Sequence, residues 1–393
     1  MTTRYKSYCQ VGDLEESRAL LTDIRHQIHQ NPELSFMEAA TAGLVAARLE
    51  EWGYEVTRKV GGHGVVGRLT VGEGKRSVSL RADMDALPIM EASGVAHASR
   101  NPGVMHACGH DGHTTMLLGA ARHLAKTRRF SGTLNLVFQP AEEAGKNSGA
   151  QQMIADGLFE RFPCDAIFGM HNHPGYPAGT FMFGVGPFMS ASDRVKITIH
   201  GRGGHAARPH LSVDPVLITG SLVMALQSIV ARNVDPAQIA IVTIGMIQAG
   251  IAANVIPESA TMGLSVRSFS PEVRDLLQRR ITELVNAHVQ GYGGRVEIEY
   301  ERGCPTVVNT PSETEFARKV AEDLVGPEKT TFPFGPVTGS EDFSYFLEKR
   351  PGCYLRIGNG EGPMVHNAKY DFNDANLTVG AAYWARLAET YLA

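Results

Sequence analysis

Two strand–helix rhythms share this chain, and one interrupts the other. Short strand-forming runs at Val65–Leu69 and Ser77–Ala82 are followed by a helical run at His113–Lys126. Strands then recur at Thr133–Phe138 and Ala166–His171. Such alternation predicts an α/β fold on a mostly parallel sheet. Near Met189 the rhythm changes. Arg194–His200 alternates as a strand, Asp214–Arg232 is helical, and Gln238–Ile247 and Glu258–Val266 are strands. Pro271–Gln290 is helical, with Pro in its first turn, and Arg295–Tyr300 is a final strand. The order β-α-β-β-α-β is the ferredoxin-like, split βαβ arrangement. The first rhythm then resumes: a helix after Thr310, a short one at Glu341–Glu348, a strand at Gly352–Ile357 and a helix at Asn376–Leu392. The chain therefore reads as a mostly parallel-sheet catalytic domain, residues 1–188 and 304–393, carrying an inserted ferredoxin-like lid, residues 189–303. A length of 393 residues suits two cores better than one.

Local signals at the start agree with helices. Asp13-Leu-Glu-Glu16 and Ser35-Phe-Met-Glu38 both have the form of a capping box. Asn31-Pro32 should stop the first helix, and Gly53 stands where the second should end. Residues 1–17 hold no apolar run of signal-peptide length, and no later stretch reads as a spanning segment, so a cytoplasmic location is expected. A net charge of −4 gives no electrostatic reason to expect nucleic acid or an anionic membrane as partner. The five cysteines, Cys9, Cys108, Cys164, Cys304 and Cys353, are odd in number and scattered, which argues against a disulfide framework. Four read as small buried apolar residues; Cys108 differs because of its neighbours.

Those neighbours are His106-Ala-Cys108-Gly-His110-Asp111-Gly-His113. Three histidines, a cysteine and an aspartate fall within eight residues, just before a helix. On extended backbone, positions 106, 108 and 110 share a face, and Cys and His are the preferred ligands of zinc-like ions. Gln139-Pro-Ala-Glu142-Glu143 follows a strand, where open α/β sheets bind ligands. In extended backbone two adjacent carboxylates face opposite ways, so one could ligate a metal while the other faces the attacking water. A solvated acidic loop is the alternative. Gly169-Met-His171-Asn-His173 lies at a strand end, and Met364-Val-His366-Asn is far along the chain. Arg81-Ala-Asp83-Met-Asp85 closes a strand with two carboxylates able to orient histidines. Four strand ends bearing Asp, Cys/His, Glu/Glu and His converge on one rim of such a sheet.

These residues resemble the bacterial and plant branch of the zinc aminoacylase–carboxypeptidase family. HACGHDGHT, QPAEE, GMHN, RADMDALP and the late VHN carry the resemblance, which spans nearly the whole chain. The branch includes hippurate hydrolase and hydrolases of indole-acetyl amino acids. The resemblance implies two divalent ions per subunit (Zn, Mn, Co or Ni), held by Cys108, His110, Glu143, His171 and His366. Cys108 would bridge them, with His110 and His171 at one ion and Glu143 and His366 at the other. Glu142 would be the general base, and Asp85 would act behind the ligands. Asp83 stands where the wider family has a ligating histidine, and His110 would compensate.

The resemblance also implies roles in the inserted domain. His205, in Gly-Gly-His205-Ala-Ala-Arg, would stabilise the oxyanion in a partner subunit's site, so a homodimer or higher homo-oligomer is expected. Asn254 would be a second lid contact, and Arg267 would grip the substrate carboxylate, where a bidentate donor suits the task. The expected reaction is hydrolysis of the amide in an N-acyl-L-amino acid, of the hippurate or N-acetyl type. Hydrolysis of dipeptides by a metallo-exopeptidase is the alternative, and a non-catalytic binding module is disfavoured by Glu142, since a structural site needs no base.

Overall fold

The computed structural model describes residues 8–393. The signal-peptide reading falls partly on residues 1–7, outside the described residues. The chain forms two compact units. One runs through Phe188 and resumes at Val307–Gly335 and Asp342–Ala393; the other is Met189–Thr306 with Pro336–Glu341.

The first unit is built on an eight-stranded sheet. Its central strands are Gly132–Gln139, Ser77–Asp83, Ala166–His173 and Gly352–Gly358, in that spatial order, and each pairs in parallel with its neighbour. Parallel strands covered by helices on their faces should be apolar throughout, and these are almost wholly buried. The sheet is mixed, however. Glu55–Val60 and Gly64–Val71 form an antiparallel hairpin that extends it beyond Gly132–Gln139. Glu55–Val60 is a strand that the periodicity does not announce. It lies at the sheet edge and exposes polar side chains, so it lacks an apolar face to betray it. The helices Arg18–Gln30, His110–Thr127 and Asn376–Tyr391 pack together through Leu21, Leu117, Leu118, Ala381 and Trp384, all buried.

Three local expectations change. The first helix opens as a 3-10 turn, Val11–Ser17, whose capping box joins Gln10 and Asp13 rather than Asp13 and Glu16. The Ser35–Glu38 box does not form. Glu38 instead accepts the backbone N–H groups of Phe36 and Ala141 at 2.8 Å each, so its carboxylate serves a distant loop. The third helix starts at His110, three residues earlier than expected, after Gly109 in the left-handed region.

The second unit is a four-stranded antiparallel sheet, spatial order Ala240–Ala249, Ser259–Ser268, Ala191–His200, Arg295–Arg302. The helices Pro215–Asn233 and Pro271–Gly291 pack on it. Asp214 and Ser270 cap them through N–H groups two or three residues on. Ile218, Leu222, Leu226 and Ile229 from one helix, and Leu277, Ile281 and Val285 from the other, are buried against Ile197 and Met262. Each such side chain contributes about 1.5–3 kcal/mol relative to exposure. Pro215–Asn233 is, by length and composition alone, apolar enough to cross a membrane, a test that a packed core helix also passes. Its inner face packs on the sheet, while Val216, Leu217 and Met224 stay exposed.

Candidate active site

The C-terminal edge of the central strands brings the sequence motifs together. Ser77–Asp83 runs into Asp85, and Gly132–Gln139 runs through Pro140 into a 3-10 turn, Glu142–Ala144. Ala141 enters the left-handed region, φ 49°, so the chain turns sharply before Glu142. The extended backbone expected at Glu142-Glu143 is therefore absent. Both carboxylates instead bring an oxygen within 4.8 Å of a His110 ring nitrogen, on the same side of the turn.

Asp85 holds this turn in place. Its Oδ1 accepts Glu142 N–H at 3.0 Å and its Oδ2 accepts Glu143 N–H at 3.0 Å; Ser35 Oγ donates to Oδ2 at 2.7 Å. The Asp85 carbonyl accepts His110 Nδ1–H at 2.9 Å. That bond leaves His110 Nε2 buried and without a hydrogen-bond partner. Asp85 thus positions both glutamates and one histidine and does not itself face solvent. Arg81 ties the neighbouring strand ends together, donating to Gln139 Oε1 at 2.8 Å, Asp83 Oδ2 at 2.6 Å and Asp342 Oδ1 at 3.1 Å.

Cys108 lies at the centre of two donor groups. Ligand atoms of Cys108, His110 and His171 lie within 4.8 Å of one another, and so do those of Cys108, Glu143 and His366. His171 Nδ1–H donates to the Asn172 carbonyl at 2.7 Å, which turns Nε2 toward Cys108 Sγ, 3.3 Å away. Such a bond at the far nitrogen is how ligand histidines are oriented. His366 Nε2 lies 3.1 Å from Glu143 Oε1. His366 has φ 66°, a left-handed backbone unusual for a side chain with a Cβ, and its N–H donates to Ala107 O at 2.7 Å.

Gly109 separates Cys108 from His110 at φ 93°. A Cβ there would sit 2.3 Å from Asn172 Nδ2 and 2.6 Å from Tyr370 Oη, so only glycine fits. Asn172 Nδ2 donates to Cys108 O at 2.6 Å, and Tyr370 O–H donates to Asn172 Oδ1 at 2.7 Å. The sequence reading missed both residues. Asn172 had a signal, since it belongs to the GMHN motif; Tyr370 had only its nearness to His366. His113 donates through Nδ1 to Asp83 at 2.7 Å and accepts Asn172 N–H at Nε2, 3.0 Å. Both ring nitrogens are engaged, so His113 is a brace. The buried ring of His106 turns toward His29, centroids 6.3 Å apart.

Electrostatics divide the histidines. Burial, with His113 and Arg356 adding to it, holds His171 well below the ordinary histidine range, so it is neutral, with its Nε2 lone pair facing Cys108. Hydrogen bonds to Cys108 and Glu143 push His366 up to about 10. Burial would lower His110, but Asp83 and Cys108 outweigh it and hold it well above the ordinary value. Cys108 and the carboxylates thus attract positive charge, which protons supply when no cation is bound. A thiol, three imidazoles and a carboxylate are the donor chemistry of zinc-like divalent ions, and His110 Nε2 is a buried donor position left open for one.

The other predicted residues belong to the second unit. His205 is exposed and pairs with Val255 in a two-stranded ribbon; its Nδ1 accepts Ala207 N–H at 3.0 Å. His205 and Asn254 line one open cleft of about 440 Å³, walled by Gly203, Gly204, Ile256 and Pro257. Arg267 is half-buried on the strand Ser259–Ser268 and donates to Ser340 Oγ at 2.9 Å.

Fold and site together define an α/β protein with a cluster of candidate metal ligands at the C-terminal edge of its central strands. The chain belongs to the peptidase family M20/M25/M40, whose pattern matches residues 79–390. It is 45% identical to a hippurate hydrolase of Campylobacter jejuni, over 94% of this chain and 96% of that one. It is 39% identical to thermostable carboxypeptidase 2 of Saccharolobus solfataricus, over 96% of each. A crystal structure from Bacillus subtilis, described as a dinuclear metal binding peptidase of the M20 family, superposes with a TM-score of 0.83 at 32% identity. It covers 96% of this chain and 99% of its own.

Proposed function

We propose that the chain is a metal-dependent amidohydrolase that cleaves N-acyl-L-amino acids, of the hippurate or N-acetyl type, to a carboxylate and an amino acid. The observation that carries this is the pair of donor groups sharing Cys108, with Glu142 beside them, in a chain alike along nearly its whole length to a hippurate hydrolase. Cys108, His110 and His171 would hold one divalent ion, and Cys108, Glu143 and His366 the second; Zn, Mn, Co or Ni would suit these donors. Bound there, the ions would lower the pKa of water toward neutrality and stabilise a developing oxyanion.

The chain's own residues supply the rest. Glu142, on a turn clamped by Asp85, would take a proton from the attacking water and return it to the leaving amine. Arg267 would bind the substrate carboxylate, and Asn254 and His205 would contact the scissile amide. The second unit has the element order and strand order of a ferredoxin-like domain, which supports reading it as an inserted lid and dimerisation domain. A dimer is supported by its surface. The strand Ala240–Ala249 is at a sheet edge, with Met246 and Ile247 exposed, near the sequence of the exposed Ile251. A cytoplasmic homodimer, with His205 acting in its partner's site, is the assembly we favour.

The test is a panel of hippurate, N-acetyl amino acids and dipeptides with each metal. Hydrolysis of the acylated substrates, lost on chelation and restored by metal, is expected; turnover by verified metal-free protein would refute the reading. The carboxypeptidase relative favours a second reading, cleavage of the C-terminal residue from peptides. Faster turnover of peptides with a free amino terminus than of N-acyl amino acids would select it.

A further inference from the structure

A second cluster of ligand-type side chains lies outside the active site, where the segment Cys9–Asp13 meets two core helices. Cys9 precedes the 3-10 turn Val11–Ser17, which carries Asp13; His123 is on the helix His110–Thr127 and Glu389 on the helix Asn376–Tyr391. Ligand atoms of Cys9, Asp13 and His123 all lie within 4.8 Å of one another. Cys9 and Glu389 are fully buried and His123 is 8% exposed.

Two atoms in this cluster lack hydrogen-bond partners although buried: His123 Nε2 and Glu389 Oε1. They face each other at 3.7 Å, too far for a hydrogen bond. Leaving two such buried groups unpaired is costly. Donors around a tetrahedral zinc ion sit roughly 3.3–3.8 Å apart, given metal–ligand distances near 2.0–2.3 Å. Asp13 accepts Gln10 N–H through Oδ2 and keeps a second oxygen. Glu389 Oε2 accepts Cys9 N–H at 2.6 Å, which holds the two residues together and leaves Oε1 directed at His123. Burial, Glu389 and Asp13 push the Cys9 thiol up, with Arg129 and Arg386 opposing them in part, so a bound cation would be what favours the thiolate.

We propose that Cys9, Asp13, His123 and Glu389 form a structural zinc site, separate from the active site, that fastens the segment Cys9–Asp13 to the two core helices. One thiolate, one imidazole and two carboxylates close a four-coordinate shell with no position left for substrate. The site belongs to stability and not to catalysis, because none of the four residues touches the Cys108 donor groups.

Zinc content measured after dialysis should be one ion per chain higher in wild type than in Cys9→Ser or His123→Ala. Both variants should keep the wild-type kcat and KM. Equal zinc content in wild type and in the folded variants would overturn the proposal. An anomalous difference map at the zinc edge, from zinc-loaded wild-type crystals, gives an answer even if the variants fail to fold. A peak bounded by Cys9 Sγ and His123 Nε2 is expected. A water, or no density, between His123 and Glu389 would overturn the site, while peaks at Cys108 report on the active site alone.

Discussion

At the scale of single residues, the active-site cluster depends on groups that never need to meet substrate. Asp85 is the clearest. Each of its oxygens accepts one glutamate N–H, so Asp85→Asn would set an amide N–H₂ against a backbone N–H. Loss of about 1–3 kcal/mol of stability is expected. Activity should fall about 10–100-fold through misplacement of the turn, measured as kcat on an N-acyl amino acid. Glu142→Gln keeps the shape of the turn and removes the proposed base. Turnover should drop by about 10²–10⁴-fold with metal content unchanged, and unchanged turnover would remove Glu142 from the mechanism.

Elements carry the next level. The helix His110–Thr127 begins in a buried ionic network. Arg25, on Arg18–Gln30, donates to Asp111 at 2.8 Å, contacts Asp371, and lies 3.5 Å from Asp374. This network ties the segment after His366 to the helix bearing His110. Arg25→Met removes the guanidinium from the buried Asp111 carboxylate and leaves His29 to hold it, and denaturant unfolding should show a loss of about 3–5 kcal/mol. His29 shares the network. Burial would lower its pKa, but hydrogen bonds to Asp111 and Glu91 hold it up at about 9. A raised histidine stabilises fully below its ordinary value of 6.5 and loses that contribution as pH rises through 9. Burial would raise Glu91, yet His29, Ser93 and the Ser99 N–H bring it down to about 2, so its contribution is full above the ordinary 4.5 and is lost as pH falls from there toward 2. The Tm gap between wild type and His29→Gln should therefore be widest between pH 4.5 and 6.5 and narrow toward pH 9. A gap independent of pH would contradict the assignment.

At the scale of the whole molecule, the second unit leaves Leu217 and Met224 exposed on a helix and Met246 and Ile247 exposed on an edge strand. If these make a dimer, Met224→Glu combined with Ile247→Lys should yield monomers in sedimentation and should lower turnover with the metal sites still loaded. Monomers as active as wild type would show that no residue acts across subunits.

The sequence by itself determined the alternating sheet unit, its interruption, and the residues clustered at the strand ends, because those follow from periodicity and from donor chemistry within short motifs. It did not determine how the motifs face one another. The left-handed turn at Ala141, which brings Glu142 and Glu143 to one side, depends on Glu38 from a distant loop accepting the Ala141 N–H. The early start of the His110 helix depends on Gly109 fitting between Asn172 and Tyr370. Glu55–Val60 is a strand only because Gly64–Val71 offers it a partner. Each of these rests on contacts between residues remote in the chain, which no local pattern encodes. Cys9 shows the same division: alone it reads as a small buried apolar residue, and only the packing of two helices sets His123 and Glu389 beside it.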